Sequence, residues 1–160
     1  MEKGLAIITG ADGGMGQVIT AALAKEGYPV IMACLDPEKA ASLCNRIQQE
    51  TGNTQIEVRR IDLASLSSVN NFTGQLLKEG RPVSRLMNNA GICHREPFLE
   101  CSKEGWLDVM ATNLNGEFYV GQAVARTMVE LGVKGYIVNT SSNSSRKTIG
   151  GITPYCPSKA

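Results

Sequence analysis

Four glycines fall within seven residues, Gly10-Ala11-Asp12-Gly13-Gly14-Met15-Gly16, directly after the apolar run Leu5 to Thr9. Such a loop lets the backbone turn tightly and come close to a pyrophosphate. A helix starting inside it presents free N–H groups and the positive end of its dipole to an anion. A tight strand-to-helix turn with no ligand also needs glycines, so the loop alone leaves both readings open.

The rest of the chain repeats the alternation that the loop begins. Leu5 to Thr9 reads as a buried strand, and Gly14 to Glu26 as a helix stopped by Gly27. Val30 to Ala33 is a second strand, and Pro37 opens a helix running to about Thr51. Gln55 to Ile61 predicts a third strand with one partly wet side, and Ser65 caps a helix to about Glu79, broken by Gly80-Arg81-Pro82. Leu86 to Asn88 reads as a short fourth strand. A helical region runs from Ser102 to Leu131, with an interruption at Asn113 to Gly116. Tyr136 to Thr140 predicts the fifth strand, a Ser/Asn/Gly/Thr-rich loop follows, and Tyr155 to Ala160 comes last.

Strands separated by helices read as successive βαβ units. They predict an α/β fold: a doubly wound, Rossmann-type parallel sheet, covered on both faces. Right-handed crossovers give the strand order 3-2-1-4-5, reversing between strands 1 and 4. The unusual residues then converge. The glycine loop, Asp62, Asn88-Asn89-Ala90-Gly91 and Ser141-Ser142 each follow a strand, so all lie on the carboxyl edge where such sheets bind ligands.

Composition excludes several other classes. At 160 residues the chain suits one domain, over 1–160, with one sizeable core. The net charge of +1 is interspersed, without the basic patch that nucleic-acid or membrane-surface binding needs. No signal-peptide pattern and no apolar run of spanning length appears. Five cysteines at irregular spacing, without C-x-x-C, predict reduced thiols in a cytoplasmic protein and no metal site. Sequons at Asn71, Asn139 and Asn143 would then go unused. Trp106, in an apolar helical stretch, reads as core. His94, the single histidine, has no acid beside it in sequence and reads as a loop residue.

The spacing Thr9-Gly10-x-x-x-Gly14-x-Gly16, with Asn88-Asn89-Ala90-Gly91 and Tyr155-x-x-x-Lys159 in that order, resembles the short-chain dehydrogenase/reductase family over the whole chain. The resemblance implies an oxidoreductase interconverting a secondary alcohol and a carbonyl with NAD or NADP. Gly10, Asp12, Gly14, Met15 and Gly16 would form the cofactor loop, Asp62 would sit near the adenine, and Asn89, Ala90 and Gly91 would line the cofactor. Asn113, Ser142, Tyr155 and Lys159 match the family's catalytic tetrad; Ser142 lies thirteen residues before Tyr155. Lys159 would also hold the nicotinamide ribose, Ser142 the substrate oxygen, and Asn113 a relay water. Asn113 read by itself is equally a residue that satisfies backbone groups where a helix is interrupted.

Four residues apart on a helix, Tyr155 and Lys159 share a face. An ammonium beside a phenol favours its ionised form, which suits Tyr155 to general acid/base work. In this family the ribose-binding acid falls where Cys34 stands, and the phosphate-binding Arg where Leu35 stands. Asp36, twenty residues after Gly16, is the nearest acid, and it tips the expectation toward NAD.

Family members continue past the lysine with two more strands and a substrate-covering segment, and usually pair into homo-oligomers. The resemblance therefore implies a sheet lacking its final strands, an open edge at strand 5, and a domain incomplete at its C-terminus. A dinucleotide-binding module without turnover remains the alternative. An epimerase or dehydratase of the extended branch is disfavoured by the glycine spacing.

Overall fold

The computed structural model describes residues 3–147 and 149–160. Five parallel strands, β1 (Leu5–Thr9), β2 (Val30–Cys34), β3 (Ile56–Arg60), β4 (Val83–Asn88) and β5 (Tyr136–Asn139), form one sheet in the order β3-β2-β1-β4-β5. The doubly wound fold and its switch point between β1 and β4 are those predicted.

Alternation along the strands divides the core in two. Leu5, Ile7, Ile31 and Ala33 face Val69, Phe72 and Leu76 of α3 (Leu66–Glu79) and Val120 and Val124 of α5 (Glu117–Glu130). Ala6, Ile8, Val30 and Met32 face Ala24 of α1 (Gly14–Lys25) and Ala40, Cys44 and Ile47 of α2 (Pro37–Thr51). A fully buried side chain such as Leu76 contributes about 1.5–3 kcal/mol to this packing.

Helix ends follow local chemistry. The side chains of Asp36, Ser65 and Ser102 accept from Lys39, Ser68 and Gly105 N–H, starting α2, α3 and α4 (Lys103–Met110). Gly52 and Gly80 stop α2 and α3 in the left-handed region, at φ 70° and 62°.

Several expectations are corrected. β4 begins at Val83, three residues before Leu86: Ser84 and Arg85 break the apolar pattern, and the register to β1 shifts past Ser84, with Leu5 opposite Val83 and Ala6 opposite Arg85. The interruption at Asn113 is no gap: Ala111–Gly116 winds as a π-helical turn and carries α4 into α5. Trp106 is 38% exposed and outside the core, since Gly105 and Val109 take the inward face of α4. β5 pairs with β4 alone among the described strands, and its four residues are exposed.

All five cysteines are free thiols. Among the described residues, no helix is long and apolar enough to cross a membrane, and no group of His, Cys, Asp and Glu could hold a metal ion.

Candidate active site

The glycine loop keeps its shape through two positions that tolerate no side chain. Gly10 has φ 59°, and a Cβ there would come within 2.8 Å of the Ala90 Cα. A Cβ on Gly16 would run into the Gly10 carbonyl oxygen and come within 2.7 Å of the Ala11 Cα. α1 therefore starts against the loop, with Gly13 as an N-cap that offers no side-chain acceptor to its first turn. Those amides stay available to an anion.

The loop is laced to the end of β4. Asn89 N–H and Ala90 N–H both donate to the Thr9 hydroxyl, at 3.0 and 3.1 Å. The Asn89 amide donates to the carbonyls of Thr9 and Gly10, at 3.3 and 3.2 Å, and its buried Oδ1 has no protein partner.

A cavity of about 950 Å³ opens along this edge, lined by Gly10, Asp12, Gly14 and Met15 on one side and by Asn89, Ala90 and Gly91 in the middle. Asp62 lines it after β3, where its carboxylate accepts from Ala64 N–H at 3.0 Å. Ser142, Tyr155 and Lys159 close the far end. A smaller hollow of about 530 Å³, with Pro29, Glu57 and Arg81 in its wall, lies at the opposite edge of the sheet.

At the end of β2, Gly10 N–H donates to the Ala33 carbonyl at 2.9 Å, bringing the loop against that strand. Asp12 and Leu35 face the cavity there. Asp36 does not line it: its carboxylate caps α2 and pairs with the Lys39 ammonium at 3.0 Å. Hydrogen bonds from Lys39 hold that carboxyl below its ordinary range. Burial, and next the Asp12 carboxylate, push the Cys34 thiol up to about 12, so it remains protonated.

The tetrad residues come from four elements. Asn113 lies in the π turn, 1% exposed; its Oδ1 accepts from Ile92 N–H at 2.8 Å, and its Nδ2 donates to Ile92 O and the Ser158 hydroxyl. Both amide donors are thus committed, leaving one lone pair on Oδ1. Ser142 follows β5, and its hydroxyl oxygen accepts from Ser144 N–H at 3.2 Å. Tyr155 and Lys159 frame α6 (Tyr155–Ser158), a single turn that the Ser141 hydroxyl ties to β5 by donating to Lys159 O at 2.9 Å. The Lys159 ammonium donates to Thr140 O at 2.9 Å and faces the Glu117 carboxylate at 4.0 Å. Burial lowers the lysine's titration, and Glu117 partly opposes it. Asn113 Oδ1 and Lys159 Nζ both lie beside the Cα of Gly91, where a Cβ would meet them at 3.4 and 3.6 Å.

Three expected residues, Gly16, Asp36 and Asn113, sit off the cavity wall. The first shapes the loop, the second caps α2, and the third holds Ile92 and Ser158. One reading needs correction. His94 lies in a loop as expected, but it does have an acidic partner: its Nε2 lies 2.6 Å from Oδ2 of Asp108 on α4, which lines the cavity. Fourteen residues separate the two, so adjacency in sequence could not show it. Sequence reasoning placed Thr9 in the loop motif and Ser141 on the ligand edge without giving either a role, and it missed Glu117.

The sequence profile described as short chain dehydrogenase matches residues 4–160. Gluconate 5-dehydrogenase of Gluconobacter oxydans is 35% identical over 96% of this chain and 59% of its own length. Nodulation protein G of Azospirillum brasilense is 37% identical over 100% of this chain and 64% of its own. A solved actinorhodin polyketide ketoreductase variant with NADPH superposes with a TM-score of 0.89 at 31% identity, over 99% of this chain and 62% of that one. This chain thus spans less than two thirds of the length of each.

Proposed function

The chain belongs to the short-chain dehydrogenase family, and on that premise we propose that it is an NAD(P)-dependent oxidoreductase interconverting a secondary alcohol and a carbonyl. One observation carries the reading: Ser142, Tyr155 and Lys159 line the same cavity as the glycine loop. The fit to a dinucleotide rests on this structure. Gly10 and Gly16 shape a cradle that a Cβ would fill, the first turn of α1 lacks a side-chain cap, and Asn89 Oδ1 is a buried acceptor without a partner.

A bound nicotinamide ring supplies or accepts the hydride. The amides at the start of α1 would receive the pyrophosphate, and Asp62, in the cavity wall after β3, would sit near the adenine. Lys159 holds the ribose through its ammonium. Ser142 donates a hydrogen bond to the substrate oxygen, and Tyr155 gives that oxygen a proton in reduction and removes it in oxidation. Asn113 has one free acceptor position, so a relay water there would be held through its own O–H. The reading leans to NAD, because the corner around Leu35 carries Asp12 and Asp36 against one ammonium, Lys39, and Leu35 stands where the family's phosphate-binding arginine would fall. Five free thiols suit a reducing cytoplasm.

The test is a fluorescence titration with NADH and NADPH, followed by a panel of small carbonyl substrates. Tyr155→Phe should lower turnover by about 10²–10⁴-fold with cofactor affinity retained. Binding without turnover of any substrate would favour the module instead.

A further inference from the structure

Lys159 is an ammonium with 4% of its side chain exposed, and among the described residues its one hydrogen bond goes to the Thr140 carbonyl. Burying a charge this deeply favours its neutral form unless an opposite charge stands close. That charge is Glu117, the first residue of α5 after the π turn, with its carboxylate 4.0 Å away and 20% exposed. Its backbone carbonyl accepts from Asn88 Nδ2 at 3.4 Å, which fixes the start of α5 against the end of β4.

We propose that Glu117 is a positioning residue for Lys159, holding its side chain charged and aimed beneath Gly91. The idea rests on the cofactor reading above only where it concerns the ribose. Other titratable groups close to this turn are Tyr155 and Cys156 on α6 itself and Asp108 on α4. Asp108 faces His94, whereas Glu117 is the charge that raises the lysine against burial. Burial in turn pushes the Glu117 carboxyl up, and Lys159 opposes that shift. Each charge therefore sustains the other.

The experiment follows Lys159 by its 13Cε and 15Nζ signals through a pH titration, with the resonance assigned by its loss in Lys159→Arg. Glu117→Gln should lower the Lys159 midpoint by about one to three pH units, and Glu117→Asp should restore part of the shift. NADH affinity in Glu117→Gln should weaken as pH rises through the new midpoint, while the wild type holds constant there. An unchanged Lys159 midpoint in a folded Glu117→Gln protein would overturn the proposal. Should that variant not fold, the wild type decides: protonating Glu117 must displace the Lys159 signals, and silence there is equally fatal. If the wild type binds neither NADH nor NADPH, the cofactor reading fails, and the Lys159 titration still judges Glu117.

Discussion

The hydroxyl of Thr9 accepts the backbone N–H of Asn89 at 3.0 Å, so one oxygen fastens the glycine loop to the end of β4. The same oxygen accepts Ala90 N–H at 3.1 Å. Thr9→Val keeps the shape and removes the acceptor, leaving two amides without it. We expect a loss of about 1–3 kcal/mol in chemical denaturation, with Thr9→Ser close to wild type. A fully stable Thr9→Val protein would show that the hydroxyl contributes nothing.

Gly16→Ala would set a methyl group against the Gly10 carbonyl and the Ala11 Cα, both backbone and unable to swing aside. We predict that the loop opens, at a cost of about 1–3 kcal/mol in stability. Dinucleotide binding should fall more steeply than stability does. Equal NADH affinity in Gly16→Ala would contradict a loop held closed by this contact.

Asp12 and Leu35 both line the cavity at the end of β2, and on the proposed cofactor reading the Asp12 carboxylate would disfavour a 2′-phosphate there. Asp12→Asn combined with Leu35→Arg should move the ratio of NADH to NADPH affinity about tenfold toward NADPH, an effect of about 1.4 kcal/mol. The gain should shrink as salt rises, because the corner is open to solvent. Parallel titrations with both dinucleotides read the ratio, and an unmoved ratio would remove Asp12 from the discrimination.

Stability should carry an acid-side dependence from the Arg59–Glu79 pair, a bidentate contact at 2.8 and 2.9 Å between β3 and the end of α3. Hydrogen bonding from Arg59 lowers the Glu79 carboxyl from its ordinary 4.5. Its contribution is therefore complete above that value and is lost as pH falls through the lowered one. Glu79→Gln should cost about 0.2–1 kcal/mol near neutral pH, given its exposure, and nothing once the carboxyl is protonated. Thermal melts of both proteins across the acid range should converge.

The sheet was legible because β1 and β2 are uninterrupted apolar runs bounded by glycine, proline or polar residues, and because every polar cluster follows a strand. The start of β4 was hidden by Ser84 and Arg85, which break the apolar run where the register to β1 shifts, an irregularity that a periodic pattern does not show. At the site, Tyr155, Lys159 and the glycines announce themselves by spacing within one turn or one loop. Glu117 and the His94–Asp108 pair depend on which segments the fold brings together, and no local period encodes that. The exposure of Trp106 had the same cause, since an apolar stretch does not say which of its faces turns inward.

The π turn at Ala111–Gly116 takes up one extra residue between two helices that look like one rod. A π turn needs about one residue more than an α-helix for the same rotation, so removing a single residue there should restore a regular ladder with α4 and α5 still in phase. Val109 and Val120 would both keep their place in the core. Substitution is the narrower route, because Asn113 is buried with both amide donors committed and a Cβ on Gly116 would come within 2.7 Å of the Leu63 carbonyl oxygen.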